Sequence, residues 1–168
     1  MSLMPRFLVM RPLILAMAAR LAWLPPTVAR LTVGWVFLLS GWGKLHNLQQ
    51  VIDFFASIGI PAPGLQAPFA SGTELVCGAL LLLGLGTRLA SVPLMVVMTV
   101  AIATARIDEL TSAGALFGFV EFTYITLLLY LAVGGPGPLS LDHLLVRRAA
   151  RATAPSAPTA GAIRVRVA

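Results

Sequence analysis

The chain has 168 residues, of which 58% are hydrophobic and only 11% are charged, against about 25% charged residues in an average soluble domain. A soluble protein of this length would leave much of that apolar surface in water, so the composition indicates that lipid surrounds the chain. The net charge of +6 does not indicate nucleic-acid binding, because the basic residues stand singly at the ends of apolar runs. The single cysteine, Cys77, excludes an intramolecular disulfide and a cysteine-rich metal site.

The N-terminal segment, residues 1–26, is apolar but is interrupted by Arg11 and Arg20. The uncharged stretch between these arginines is too short to span a bilayer, since a spanning helix needs about 20 apolar residues. One interpretation is a helix in the cytoplasmic membrane interface, with both arginines among the lipid headgroups. The other is a signal peptide with a basic start and a short apolar core. We favour the interfacial helix.

Four apolar runs follow that are long enough, or nearly so, to cross a membrane. The predicted spans are residues 27–44, 68–86, 89–105 and 114–133. Only residues 86–89 connect the second span to the third, which predicts an antiparallel helical hairpin. Together the spans predict an all-α integral membrane four-helix bundle over residues 27–146.

The segments outside these spans are shorter or more polar. Between the first two spans, Val51, Phe54, Phe55 and Ile58 occur at offsets 0, 3, 4 and 7, which is one face of a helix. We expect a short amphipathic helix in this first outer loop, lying on the membrane. Residues 147–168 are rich in Ala, Pro, Ser, Thr and Arg, and we predict a disordered basic tail there.

The distribution of basic residues predicts the orientation of the chain. Ten of the twelve Lys and Arg residues lie before or at the start of the first span, in the second connection or after the fourth span. The remaining two, Lys44 and Arg106, lie at the opposite ends of the spans. Because Lys and Arg concentrate on the cytoplasmic side of membrane proteins, both termini are expected in the cytoplasm.

Charged residues also occur within or at the ends of the spans. Glu74 lies six residues into the second span and Glu121 seven residues into the fourth, while Lys44 ends the first span and Arg106 ends the third. With both termini inside, all four lie in the outer half of the membrane. A carboxylate at that depth costs several kcal/mol unless it is protonated or paired. We therefore predict one buried cluster of these four residues.

This cluster has two interpretations. In the first, Glu74 and Glu121 are catalytic proton carriers, and Lys44 and Arg106 bind a ligand or stabilise an oxyanion. In the second, the cluster is an ion-pair network that only fixes helix packing.

Two further residues are candidates for ligand contact. Trp35 is a candidate for stacking on a ring-shaped ligand, although aromatic residues also form interfacial belts. His46 is a candidate cofactor-binding residue that could shuttle protons or bind a metal, although a lone histidine at a membrane edge is usually only solvated. The sequence has no paired-histidine metal spacing, Gly-rich phosphate loop or flavin motif, so no metal is expected.

Four motifs in order along residues 30–144 carry a family resemblance. They are Gly34-Trp-Val-Phe-Leu-Leu-Ser-Gly41-Trp-Gly-Lys44-Leu, then Phe55 with Gly59-Ile60-Pro61-Ala62-Pro63, then Glu74-Leu-Val-Cys-Gly78-Ala-Leu80 with Leu83-Gly84-Leu85-Gly86-Thr87-Arg88, and finally Gly135-Pro136-Gly137-Pro138-Leu-Ser140-Leu141-Asp142. This pattern resembles the DoxX family of small bacterial membrane proteins. The resemblance implies a four-helix bundle, as hydropathy does, with Lys44 and Glu74 at family-like polar positions.

The resemblance also implies a redox setting, because relatives include a quinone-reducing subunit of a thiosulfate-oxidising enzyme and membrane partners of oxidative-stress proteins. The leading hypothesis is a quinone-linked redox protein, or the membrane subunit of an oxidoreductase. The quinone would lie in an outer-leaflet cavity against Trp35. The expected location is the bacterial inner membrane.

The alternative hypothesis is a non-catalytic accessory or assembly protein for a redox or stress-response partner. A small-solute transporter is a third interpretation, disfavoured because the sequence has no broken pair of spans and no internal repeat. The lipid bilayer is the expected partner. A partner redox protein and a homo-oligomer are both compatible with the sequence.

Overall fold

The computed structural model describes residues 15–152, and all regular secondary structure in this range is helical. The all-α prediction is therefore confirmed. The helices are α1 (Leu24–His46), α2 (Leu48–Ser57), α3 (Pro63–Leu83), α4 (Thr87–Ala105), α5 (Ala113–Gly118), α6 (Val120–Gly134) and α7 (Leu141–Ala152). A 3-10 turn at Ile107–Glu109 follows α4.

The predicted N-terminal interfacial helix falls mostly outside the described residues. Residues 15–21 are helical, and a turn at residues 22–23 separates them from α1. Residues 1–14 lie outside the described range, so the choice between an interfacial helix and a signal peptide stays a prediction.

Three helical stretches of the described chain are long and apolar enough to cross a membrane, namely residues 15–46, α3 and α4. The fourth predicted span, residues 114–133, differs from the expectation because it consists of α5 and α6. Phe119 separates them with extended backbone angles, φ −75° and ψ 132°. The 15 residues of α6 extend about 22 Å at 1.5 Å per residue, less than the bilayer core of about 30 Å.

Glycines allow α1 and α3 to pack closely. A Cβ atom at Gly78 of α3 would lie 2.5 Å from the backbone nitrogen of Leu38, and one at Gly34 of α1 would lie 2.9 Å from that of Leu82. Small residues at such a contact let two helix backbones approach within a membrane, where dispersion contacts drive association. The crossing of α1 and α3 therefore depends on these glycines.

The hydrophobic core is shared by four helices. Its fully buried or nearly buried side chains include Val33 and Phe37 of α1, Leu81 of α3, Leu94 of α4, and Leu128 and Leu131 of α6. This core extends from the middle of the bundle toward the α3–α4 turn. We call that end of the bundle the Asp142 end, and the opposite end, which holds Lys44 and Arg106, the Lys44 end.

Polar contacts join the chain segments at the Asp142 end. The Asp142 carboxylate accepts hydrogen bonds from the backbone N–H groups of Gly86 at 2.9 Å and Thr87 at 3.3 Å, which caps the start of α4. The buried guanidinium of Arg30 donates to the carbonyl oxygen of Leu139 at 2.6 Å. These contacts fix α1, the α3–α4 turn and the start of α7 relative to one another.

The helix α7 continues through residue 152. Residues 147–152, which the sequence analysis assigns to the tail, are therefore helical. Residues 153–168 lie outside the described range, so disorder there stays a prediction.

Candidate functional site

A cavity of about 390 Å³ lies at the Lys44 end, between α1, α2, α3 and α4. Most of its lining is apolar, and its polar members are Lys44, Gln50, Gln66, Glu74 and Thr104. No residue of α5 or α6 lines it. The cavity occupies the space between the Lys44-end halves of α3 and α4.

The amphipathic helix α2 forms one wall of the cavity. All four residues of its predicted apolar face, Val51, Phe54, Phe55 and Ile58, line the cavity. The sequence predicts this helix in the first loop, where it occurs, but with its apolar face on the membrane surface. In the structure that face covers the cavity, because α2 lies beside α3 and the α3–α4 hairpin leaves a gap between its helices at the Lys44 end.

Glu74 provides the polar end of the cavity. Its side chain is fully buried, and its carboxylate accepts hydrogen bonds from Lys44 Nζ at 2.5 Å and from Ser40 Oγ at 2.7 Å. Ser40 and Lys44 lie four residues apart on α1, so both side chains lie on the same face of that helix. The ammonium and the hydroxyl offset the cost of removing the carboxylate from water.

The Lys44–Glu74 ion pair joins a buried group to a partly accessible one. The Lys44 side chain is 36% exposed, whereas that of Glu74 is 1% exposed. An ammonium has three N–H donors, and the structure gives Lys44 one hydrogen bond, to Glu74. Lys44 can therefore contact both Glu74 and a polar atom inside the cavity.

Arg106 and Glu121 form a separate ion pair. Arg106 Nε lies 3.5 Å from Glu121 Oε1, and Arg106 Nη1 donates to both oxygens of Glu109 at 3.0 Å. The hydrogen bond to Glu109, with the negative charges of Glu109 and Glu121, raises the pKa of the Arg106 guanidinium. The guanidinium also lies over the Phe119 ring, 5.7 Å from its centroid.

The four charged residues thus do not form the single cluster that the sequence predicts. Within residues 15–152, no hydrogen bond or ion pair joins Lys44 or Glu74 to Arg106 or Glu121, and only Lys44 and Glu74 line the cavity. The 3-10 turn after α4 brings the Glu109 carboxylate to 3.0 Å from Arg106 Nη1. The guanidinium pairs with Glu109 and Glu121 and does not line the cavity.

Trp35 and His46 also lie away from the cavity lining. Trp35 is 56% exposed, on the side of α1 opposite to Phe37, because two residues turn a helix by 200° and leave the side chains about 160° apart. The His46 ring stacks on Trp42, with centroids 4.3 Å apart, and its Nδ1 lies 2.9 Å from the Trp42 carbonyl oxygen. Trp35 therefore does not line this cavity, and its stacking on a ligand stays a prediction.

Sequence reasoning misses Ser40 as a member of the site. Its spacing of four residues from Lys44 is the signal that points to it, because residues i and i+4 share a helix face. Gln50, Gln66 and Thr104 carry no such signal. In the described part of the chain, no three His, Cys, Asp or Glu side chains are grouped so that they could hold a metal ion.

The fold and the cavity define a helical integral membrane protein with a ligand-sized apolar cavity beside a buried carboxylate. Comparison with known proteins gives the family. The DoxX family model matches residues 26–107, a range that contains every residue lining the cavity. The "Uncharacterized membrane protein Rv3486" of Mycobacterium tuberculosis is 39% identical over 138 residues, which cover 74% of this chain and 85% of that protein.

Two further relatives come from other bacteria. The "Putative oxidoreductase CatD" of Bacillus subtilis is 32% identical over 120 residues, 70% of this chain and 84% of that protein. The "Inner membrane protein YphA" of Escherichia coli is 28% identical over 121 residues, 69% of this chain and 86% of that protein. The chain belongs to the DoxX family. No solved structure matches it.

Proposed function

We propose that this protein is a quinone-linked redox protein of the bacterial inner membrane, or the membrane subunit of an oxidoreductase, and that its cavity binds the quinone ring. The observation that carries the proposal is the buried Glu74 carboxylate, paired with Lys44 and Ser40 at the polar end of an otherwise apolar cavity. The name of the Bacillus subtilis relative, "Putative oxidoreductase CatD", supports the redox class.

The size and lining of the cavity fit a quinone ring. Small-molecule sites in proteins have volumes of about 300–1,000 Å³, with mostly apolar walls and a few polar groups that orient the ligand. The cavity of about 390 Å³ has three phenylalanines in its walls, Phe54, Phe55 and Phe69. These side chains suit a flat ring, and Lys44 suits a carbonyl oxygen that accepts a hydrogen bond.

Glu74 and Lys44 have distinct roles in this proposal. A bound quinone supplies an acceptor for two electrons and two protons, the electrons coming from a partner redox protein. Lys44 would hold the quinone through a hydrogen bond to a ring oxygen. Glu74 holds Lys44 in place and would accept and return protons at that ammonium. Because Lys44 is partly exposed, protons reach the pair from the water at the Lys44 end.

An accessory role without catalysis is the second candidate. It is favoured by one observation: both Glu74 oxygens already have protein partners, so the buried group is satisfied without a ligand. In this case the pair fixes the crossing of α1 and α3, and the cavity is a packing defect filled by lipid chains.

Quinone extraction from the purified protein distinguishes the two candidates. The protein is purified in mild detergent and extracted with organic solvent, and the quinone is measured in the wild type, Glu74→Gln and Glu121→Gln. We expect near-stoichiometric quinone in the wild type and in Glu121→Gln, because Glu121 does not line the cavity. Glu74→Gln should retain several-fold less.

Thermal unfolding of each sample in the same detergent provides the folding control. A folded wild type with no quinone above the detergent background would overturn the redox proposal and leave the accessory role. Equal losses in both variants would show that the effect does not depend on the cavity.

A further inference from the structure

We infer that the cavity receives its ligand sideways from the lipid, through an opening between α2 and α4, and that the ligand is an amphiphile whose tail stays in the bilayer. This inference rests on the proposed function, since it concerns the same cavity. It adds the route by which the ligand enters and the class of ligand, which is a polar ring on a long apolar chain. A water-soluble molecule is excluded.

The position of Val96 gives the main argument. Val96 lines the cavity and is 57% exposed. It is the central residue of α4, nine residues from either end, which is about 14 Å at 1.5 Å per residue. In a spanning helix this position lies near the middle of the hydrocarbon core of about 30 Å. The exposed surface of Val96 therefore faces lipid chains, and the cavity opens at that depth.

Other residues at the rim have the same character. Phe69 of α3, Phe54 of α2 and Val100 of α4 all line the cavity, and Phe69 is 78% exposed. A mouth that opened to water would place these large apolar side chains in contact with water, at about 25 cal/mol per Å² of apolar surface. At a mouth that opens to lipid the same exposure carries no such cost.

The polar end of the cavity fixes the orientation of the ligand. Glu74 lies near the middle of α3, at about the depth of Val96 on α4. Its buried carboxylate is bonded to Ser40 and Lys44 of α1, whereas Val96 is exposed on the outside of the bundle. A ligand that fills the cavity therefore points its polar ring toward the ion pair and its apolar chain toward the mouth. A cavity of about 390 Å³ holds the ring and the first part of a chain, so the remainder of a long chain extends into the lipid.

The helix α2 is the wall best able to move when a ligand enters. The structure describes every residue of α2, and none of them is buried. The segment after it contains Gly59 with φ +76° and Ala62 with φ +49°, the latter the one described residue other than glycine with a positive φ. By contrast, α3 and α4 are held by the hydrophobic core. Displacement of α2 widens the mouth without disturbing the core.

Competition between two quinones in lipid nanodiscs tests the route. The first is a menaquinone with a long isoprenoid chain, carried in the lipid, and the second is a sulfonated naphthoquinone added to the water. We expect the menaquinone to bind the wild type and the sulfonated compound to leave its binding unchanged. Displacement by the sulfonated compound would show an aqueous entrance and overturn the inference, while the proposed function stands. Binding of neither compound would overturn the proposed function and the inference with it.

A matched pair of variants tests the position of the mouth. Val96→Trp places a large side chain at the mouth, and Val92→Trp places it one helical turn away, at an equally lipid-exposed valine that does not line the cavity. We expect Val96→Trp to slow both entry and release of the long-chain menaquinone by about tenfold, equivalent to about 1.4 kcal/mol, with Val92→Trp at wild-type rates. Equal exchange rates in the two folded variants would exclude this mouth.

Discussion

At the scale of single residues, the burial of Glu74 has a cost that two neighbours on α1 offset. Its carboxylate is removed from solvent and is stabilised by one ammonium and one hydroxyl. Removing one member of a buried ion pair typically destabilises a protein by about 3–5 kcal/mol, whereas replacing both by apolar residues is often neutral. Whether the buried Glu74 carboxylate destabilises the protein therefore depends on Lys44.

We predict that Lys44→Met lowers the free energy of unfolding by about 2 kcal/mol, less than for a fully buried pair because Lys44 is partly exposed. The methionine keeps the apolar stem but leaves the carboxylate with Ser40 as its one partner. The double variant Lys44→Met/Glu74→Met should regain most of the loss. Chemical denaturation in detergent measures both effects. A single variant as stable as the wild type would contradict the pairing.

The rotation of each residue about its helix axis separates the residues of the site from those outside it. The sequence places Lys44, Glu74, Arg106 and Glu121 at one end of the bundle. In the structure Lys44, Arg106 and Glu121 lie at helix ends on that side, whereas Glu74 lies near the middle of α3 because that helix begins at Pro63. The sequence does not give the direction in which each side chain points. In the structure Arg106 pairs with Glu109 instead of Glu74. For Trp35 the sequence does give the relative direction, because two residues of a helix lie on opposite sides when they are two positions apart, as Trp35 and Phe37 are on α1.

At the scale of helices, the contact between α1 and α3 sets the geometry of the site. Ser40 and Lys44 reach Glu74 because Gly34, Gly41 and Gly78 let the two backbones approach. At Gly78, an added Cβ atom would meet backbone atoms of α1, which cannot move aside alone. Gly72, on the same helix, has no atom within 4 Å of the corresponding position.

We predict that Gly78→Ala destabilises the protein by about 1–3 kcal/mol through overpacking. Gly72→Ala should be neutral, or should stabilise by up to about 1 kcal/mol, because alanine loses less backbone entropy on folding than glycine does. Thermal unfolding in detergent compares the two. Similar stabilities for the two variants would show that α1 and α3 are further apart than the structure has them.

Helix boundaries follow from the sequence where a local signal exists. The third span is predicted as residues 89–105 and observed as Thr87–Ala105. The second begins at Pro63, five residues before the predicted start at Pro68, because proline is tolerated in the first helical turn. The break at Phe119 was missed, since neither Gly118 nor Phe119 forces a helix to end and the run stays apolar.

At the scale of the whole molecule, composition and hydropathy are sufficient to predict the helical membrane bundle, and the order of motifs is sufficient for the family. The cavity was not predictable in the same way. It arises where the amphipathic helix α2 covers a gap between α3 and α4, and that gap depends on tertiary packing. The sequence does provide the apolar face of α2, but a face of this kind suits lipid and a cavity equally well.

The central claim is that a quinone ring binds between α2, α3 and α4 beside Glu74. Photolabelling with a long-chain azidoquinone in nanodiscs, followed by peptide mapping, tests it most directly. We predict label on α2 and on residues 96–105 of α4, with several-fold less labelling in Glu74→Gln than in Glu121→Gln. Label spread evenly over the lipid-facing helices, or concentrated beside Trp35 and unaffected by Glu74→Gln, would contradict the claim.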